Sequence, residues 1–267
     1  LSEDRKTIRL LYDYVFLKGV IYELTIGKIR YCYGAELNDV LLRVSLPDSV
    51  VSYNDVVINE VLFDALSEES KYIEIYNNSK KVFDISNLYL YSSSTTIPCR
   101  ISEDPFLFFP GDIVAVSRSR YEVLKYYYSM FPRNIITADI PYMTSSSSVV
   151  GIKDRFFNVI DKFHYDRGFH HPLLKDTKGV SLERINPLLK TESSSSWHSA
   201  SSLCGYGTPG YRNSQYVDIM EEDVSGIRLE PSIISPNNDG YNDFCSIYYR
   251  GENFRGGLLK IDIYNSN

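Results

Sequence analysis

The sequence predicts an all-β fold built as a β-sandwich with one short covering helix, and three observations carry that expectation. Short runs rich in β-branched and aromatic residues recur at 56–63 (VVINEVLF), 72–79 (YIEIYNNS), 84–91 (DISNLYLY), 109–116 (FPGDIVAV) and 179–187 (GVSLERINP). Within them side chains alternate: Tyr72, Glu74 and Tyr76 oppose Ile73 and Ile75, and Leu88 and Leu90 oppose Tyr89 and Tyr91. Turn residues punctuate the runs at Asn77-Asn78-Ser79, Pro110-Gly111-Asp112 and Asn186-Pro187, favouring a sandwich over a parallel α/β sheet.

Taken in order, residues 1–54 read as the C-terminal part of another β module, with strand expected over Phe16 to Ile26, Ile29 to Leu37 and Val40 to Leu46. Residues 55–216 form the central domain. Its first run, Val56 to Phe63, is apolar at both parities, as in a strand covered on both sides or near a sandwich corner. Ser119 is placed to cap a helix over Arg120 to Phe131, where Val123, Leu124, Tyr127, Tyr128 and Phe131 recur at three- and four-residue spacing. Pro132 should end that helix, which would cover one open end of the sandwich. Residues 217–230, with Asp218, Glu221, Glu222 and Asp223, read as an acidic linker, and 231–267 as the start of a third module with a strand at Leu258 to Tyr264.

The segments INEVLF (58–63), EIYNNS (74–79), ISNLYL (85–90), SLERINP (181–187), WHSA (197–200) and GTPGYRNSQY (207–216) together resemble the bacterial lamin tail domain. That resemblance implies an immunoglobulin-like β-sandwich of a kind also common in secreted bacterial proteins, and it transfers no catalytic residues. A nuclear lamin needs a long heptad rod. No sustained heptad register occurs here, so filament and nuclear roles do not carry over. The stretch FLKGVIYELTI and its following Gly-bearing turn is similar to bacterial Ig-like modules that end in a D-x-x-G-N loop, with Tyr31 or Arg30 in place of the Asp and Ala35 in place of the Asn. Ser235 to Asp243 resembles the S-P-N-G-D-G-x-N-D opening of Ig-like modules near the C-terminus of secreted bacterial proteins, some of which serve in sorting or surface attachment.

Composition excludes some functions. A net charge of -6 supplies no basic footprint for counterion-release binding, so no nucleic-acid partner is expected. No run of about 18 apolar residues would span a membrane. The 23 tyrosines suit strands that pack a ring and keep a hydroxyl wet, with a ligand-stacking face as the sharper alternative.

Candidate chemistry is sparse. Asn237, Asp239 and Asp243 alternate oxygen donors around Gly240, which fits a calcium ion or an Asx-turn that merely closes the loop. His164, His170, His171 and His198 match no zinc spacing, and Phe163, Tyr165 and Phe169 among them indicate a packed hairpin. No serine sits in a G-x-S-x-G elbow, and the runs Ser145–Ser148 and Ser193–Ser196 read as flexible loops or O-glycan acceptors, with Asn77 in an N-x-S sequon. Glu60, Glu74 and Glu183 are the raw material of glycoside hydrolysis, but the favoured reading pairs Glu60 or Glu74 with Arg184 across strands. Trp197 reads as a core anchor. Cys32, Cys99, Cys204 and Cys245 contain no CxxC, and reduced thiols and disulfides both remain open.

The expected function is therefore that of a non-catalytic module in adhesion, anchoring or spacing, secreted or on the outer surface of a Gram-negative bacterium. No cofactor is required beyond that calcium. The partner would be an extracellular protein or glycan, or other domains of the same protein. The alternative is an accessory or carbohydrate-binding domain of a secreted hydrolase whose catalytic domain lies outside these residues.

Overall fold

The computed structural model describes residues 13, 15–27, 29–30, 34, 36–37, 39–218, 226–231, 234–235 and 242–250. Over these residues the chain is mostly strand, arranged in several sheets, with one short α-helix. Among them, no helix is long and apolar enough to cross a membrane.

Near the start, β1 (Tyr22–Ile26) pairs antiparallel with β4 (Val40–Val44), and β2 (Ile29–Arg30) with β3 (Glu36–Leu37). The central stretch then supplies β5 (Val56–Leu62), β6 (Tyr72–Asn77), β7 (Phe83–Asp84), β8 (Tyr89–Ser92), β9 (Cys99–Arg100), β10 (Leu107–Phe108) and β11 (Ile113–Ser117). After the helix α1 (Arg120–Tyr126) come β12 (Ile135–Thr137), β13 (Ser147–Lys153), β14 (Val159–Asp166), β15 (Leu182–Arg184) and β16 (Trp197–Ser199). Finally β17 (Gly226–Glu230) pairs antiparallel with β18 (Ser246–Arg250), so the end of the stretch read as a linker is strand. The strand expected at Leu258 to Tyr264 lies outside the described residues.

One six-stranded sheet runs β12-β11-β6-β5-β15-β16 and one four-stranded sheet runs β14-β13-β8-β9. A single apolar core draws on both. Ile58, Val61, Ile73 and Ile75 enter it from the larger sheet, and Leu90, Val150, Ile152 and Phe163 from the smaller. The alternation seen in sequence holds: Ile73, Ile75, Leu88 and Leu90 face this core, whereas Tyr72 turns to the far side and Tyr89 and Tyr91 are half-buried. Trp197 stacks on Phe163 with ring centroids 3.7 Å apart, and its indole N–H donates to the Thr191 carbonyl. It is the expected core anchor.

Every residue of β5 is buried, which accounts for apolar residues at both parities. The far side of the larger sheet is covered by α1, whose Val123 packs with Leu62, Tyr72, Ala115 and Ile135. Ser119 caps the helix by accepting the Glu122 N–H. The helix is shorter than the spacing predicts, however, and lies on the sheet's outer face rather than over an open end. At Tyr127 the backbone turns extended, the ring meets Tyr72 edge-on and the hydroxyl donates to the Gly179 carbonyl. These tertiary contacts override a helical spacing carried mainly by aromatic residues of modest propensity, and Tyr128 and Phe131 stay exposed. Pro132 instead opens a separate 3₁₀ turn.

Two further expectations are corrected, and one question the sequence leaves open is narrowed. Ser147 and Ser148 lie in β13, with the Ser148 hydroxyl against that of Ser93, and Ser196 is buried at the end of a 3₁₀ turn, so neither serine run is a free loop. Asn77 is not available to a glycan, because its amide is buried and donates to the carbonyls of Lys81 and Phe108. Cys99, Cys204 and Cys245 are free thiols, and Cys32 is outside the described residues.

Candidate functional site

Two regions concentrate polar chemistry, one sealed from solvent and one open to it. The first begins with a miscount in β5. The register shifts between Ile58, opposite Ile75, and Glu60, opposite Glu74, so Asn59 is the extra residue of a β-bulge. Glu60 also lies opposite Glu183 on β15. Three glutamates from adjacent strands are thereby set in a row on the covered face, each with no exposed surface. Like charges directly opposite each other are destabilising, and buried charges more so.

Residues 207–216 close over this row as a strap. Glu60 Oε1 accepts from the Tyr72 hydroxyl at 2.6 Å, the Thr208 N–H at 2.9 Å and the Ser181 hydroxyl. Glu74 accepts from the Asn59 amide and the Gly210 N–H, both at 2.7 Å. Glu183 Oε2 accepts from the Ser214 hydroxyl and the Gln215 N–H, both at 2.8 Å. The strap's glycines are sterically required. A Cβ on Gly207 would lie 2.7 Å from the Tyr72 hydroxyl, and Gly210 has φ +83° with Asn134 Cβ and the Phe131 carbonyl against it.

Proton counting follows from the geometry. The Thr208 hydroxyl lies 3.0 Å from Glu60 Oε2 and 2.8 Å from Glu183 Oε1, yet it carries one hydrogen. It can donate to one carboxyl only if the other donates to it. Glu60 Oε1, facing three donors, suits the anion, so the shared proton belongs on Glu183. Burial, reinforced by the charge of Glu60, pushes the Glu183 carboxyl up to about 8. Burial and then Glu60 also hold Glu74 well above the usual range. Glu60 is raised by burial too, but the hydrogen bonds of Ser181, Tyr72 and Thr208 oppose that rise. Each of the six carboxyl oxygens is within hydrogen-bonding distance of a protein donor, with none left for a substrate.

The expected pairing of Glu60 or Glu74 with Arg184 does not occur. Successive strand residues face opposite sides, so Glu183 joins the row while Arg184 enters the shared core. There its guanidinium lies 3.7 Å from Asp161 and donates to the Ile58 and Leu189 carbonyls. Burial outweighs the mutual attraction of this pair: Asp161 is shifted up, and Arg184 down to about 10.

The second region is the tip of the β13–β14 hairpin. Asp154 Oδ1 accepts the N–H groups of Phe156 and Asn158 at 2.8 and 2.9 Å, and Oδ2 accepts the Asn158 amide at 2.9 Å. This closed turn holds Phe157 at φ +63°, a strained conformation for a bulky residue. Phe156 and Phe157 are 67% and 54% exposed. Beside them, exposed Tyr53 and Val50 border a cavity of about 270 Å³ that Asp84, Asn87 and Asn158 also line. The Arg155 guanidinium lies 4.8 Å from the centre of the Phe156 ring. Asp55 fixes the facing loop by accepting the Ser52 N–H and pairing with Lys81 at 2.8 Å. Exposed aromatic anchors with a polar rim are the make-up of a binding surface. In sequence the only sign of this site is Phe156-Phe157 between Asp154 and Asn158, in the place where a turn is due.

Of the proposed calcium ligands, Asn237 and Asp239 lie outside the described residues. Asp243 is buried, next to Asn242 at φ +53°, whose carbonyl accepts the Ser235 N–H. Among the described residues, no three His, Cys, Asp or Glu side chains are grouped to hold a metal ion. The histidines are not brought together as a ligand set: His164 is exposed, His170 is buried with Nδ1 2.9 Å from the Ser199 hydroxyl, and His171 and His198 pack on Phe244. Burial lowers His170 to about 4, so it is neutral at physiological pH.

No model of a known protein family matches the chain, and no curated protein matches its sequence.

Proposed function

We propose that the chain is a non-catalytic binding module of the bacterial lamin tail type, an immunoglobulin-like β-sandwich that serves adhesion, anchoring or spacing in a secreted or outer-surface bacterial protein. The observation that carries the binding role is the strained hairpin tip, which holds Phe156 and Phe157 in solvent beside Tyr53. The lamin tail reading is supported by the convergence of its motifs. Asn59 and Glu60 of INEVLF, Glu74 of EIYNNS, Glu183 of SLERINP and Thr208 and Gly210 of GTPGYRNSQY meet in one buried device. The partner is an extracellular protein or glycan, or a neighbouring domain of the same protein.

The test is an array of glycans and extracellular proteins probed with the wild-type chain and with a Tyr53→Ser, Phe156→Ser variant. Binding that disappears in the variant supports this reading. An array on which no bound partner is lost in the variant, or turnover of any arrayed glycan, contradicts it.

A second reading, a carbohydrate-binding accessory domain of a secreted hydrolase, draws on a cavity of about 280 Å³ lined by Tyr76, Tyr216, Asn59, Asn213 and Asp218. Arg212 stacks 3.8 Å above the Tyr216 ring, and aromatic faces beside amides and a carboxylate suit a sugar. Loss of glycan binding in Tyr216→Ala, with Tyr53 and Phe156 intact, would favour it.

A further inference from the structure

A third feature belongs to neither region. An open cleft of about 810 Å³ is lined by Arg100 of β9, Arg118 just after β11, Arg120 of α1 and Arg133 of the turn before β12. In a chain of net charge -6, four guanidinium groups in one cleft run against the overall balance. Three of them are fixed by the backbone. Arg100 Nε donates to the Ser86 carbonyl at 2.7 Å, Arg120 Nε to that of Ile135 at 2.6 Å, and Arg118 Nη2 to that of Ile140 at 3.3 Å. A guanidinium has five N–H groups, so each anchor orients the fork and leaves donors over. Among the described residues, only Arg100 of the four is ion-paired, loosely at 3.6 Å to a Glu103 side chain that is 86% exposed.

The same cleft holds Glu103, Asp104 and Asp139, together with Phe106. This mixture discriminates among anions. Arginines alone would suit any polyanion, but three carboxylates repel densely charged phosphate chains. They readily accept hydrogen bonds from hydroxyl groups, and the ring offers an apolar face. A ligand that alternates an isolated oxyanion with several hydroxyls satisfies both sets.

We propose that this cleft binds an acidic saccharide, a sugar chain carrying a uronate carboxylate or a sulfate ester, with the oxyanion held by the arginines and its hydroxyls by Glu103, Asp104 and Asp139. The volume is that of an oligosaccharide site. No residue lines both this cleft and the cavity beside Phe156, so the two proposals fail separately.

The full 267-residue chain would be titrated calorimetrically, at about 0.15 M salt, with a galacturonate trisaccharide, its carboxyl-reduced neutral counterpart, a sulfated neutral trisaccharide, inorganic sulfate and a phosphoserine peptide. The proposal expects one of the two acidic sugars to bind at least about tenfold more tightly than the neutral sugar, sulfate or the peptide, and which one it is identifies the oxyanion. Arg133→Gln, which removes no anchoring bond, should weaken that binding with the melting midpoint unchanged, and the Arg118→Gln, Arg133→Gln pair should weaken it further. Lys162→Gln, at an exposed cation outside the cleft, should leave it intact. Asp139→Asn should weaken it as well, because a hydroxyl acceptor is lost. Equal binding of neutral and acidic sugars, tighter binding of sulfate or the peptide, a gain in affinity with Asp139→Asn, or no binding in any arm would each overturn the proposal.

Discussion

Beneath residues 207–216 three glutamates are sealed from solvent with every oxygen engaged, whereas at the Asp154–Asn158 tip one aspartate organises its own turn and leaves two phenylalanines in water. Both regions use carboxylates to shape backbone. In the first, donors from Tyr72, Ser181, Thr208, Gly210 and Gln215 converge from distant parts of the chain, so the network ties the strap to the larger sheet. In the second, the bonds are local, and what they secure is a strained Phe157 rather than a buried contact. A satisfied buried polar network specifies a fold, and strain held in the open is characteristic of recognition sites. The chemistry that looks catalytic in sequence is therefore structural, and the inconspicuous hairpin is the surface we assign to binding.

The comparison breaks most readily at Glu60. Replacing it with alanine strands the Tyr72 hydroxyl and the Thr208 N–H and takes one of two partners from the Ser181 and Thr208 hydroxyls, so Glu60→Ala should cost about 3–5 kcal/mol in urea unfolding. A loss below about 1 kcal/mol would mean that the row is not the clasp described. Thr208→Val removes the bridging hydroxyl while keeping the strap's shape, and about 1–3 kcal/mol should be lost in the same assay.

Titration sharpens the contrast further. The folded state holds a proton on Glu183 that the unfolded chain gives up above the ordinary glutamate value near 4.5. Its contribution is therefore full below about 4.5 and is lost as pH rises through about 8. His170 works in the opposite sense: lowered from 6.5 to about 4, it favours the folded state above 6.5, and that advantage is lost as pH falls toward 4. Unfolding midpoints from pH 5 to 9 should fall on the alkaline side, and Glu183→Gln should flatten that limb. An alkaline limb of the same slope in the variant would remove Glu183 from the account.

The hairpin tip should give the smallest effects. Phe157→Gly relieves the left-handed strain and should raise stability by up to about 1 kcal/mol, offset by whatever the ring gains 5.3 Å from Tyr89. Phe156→Ala should stay within about 0.5 kcal/mol of the wild type. A larger loss for Phe156→Ala would make the ring part of the fold rather than of a binding surface.

Much of the architecture was legible in the residues. Period-two alternation set Ile73 and Ile75 opposite Tyr72 and Tyr76, and Leu88 and Leu90 opposite Tyr89 and Tyr91, a division the core follows, and Ser119 marked the start of α1. The partner of Arg184 was not legible. Pairing with Glu60 or Glu74 was expected and is wrong, because whether those glutamates share a face with Arg184 depends on strand order, and Asp161 lies too far along the chain to be singled out. Two features left no local sign. The bulge at Asn59 depends on pairing with β6, and the early end of α1 depends on Tyr127 meeting Tyr72 and Gly179. The glutamate row itself is a product of strand order, which no single run of sequence contains.

The most direct test of the structural role of that row is a ¹³C titration of the glutamate side-chain carboxyls in the intact chain, with Glu60→Gln, Glu74→Gln and Glu183→Gln used for assignment. Glu183 should titrate near 8, with Glu60 ionising before it. Three carboxyls titrating together near 4.5 would instead show a row open to water and within reach of a substrate, contradicting the account.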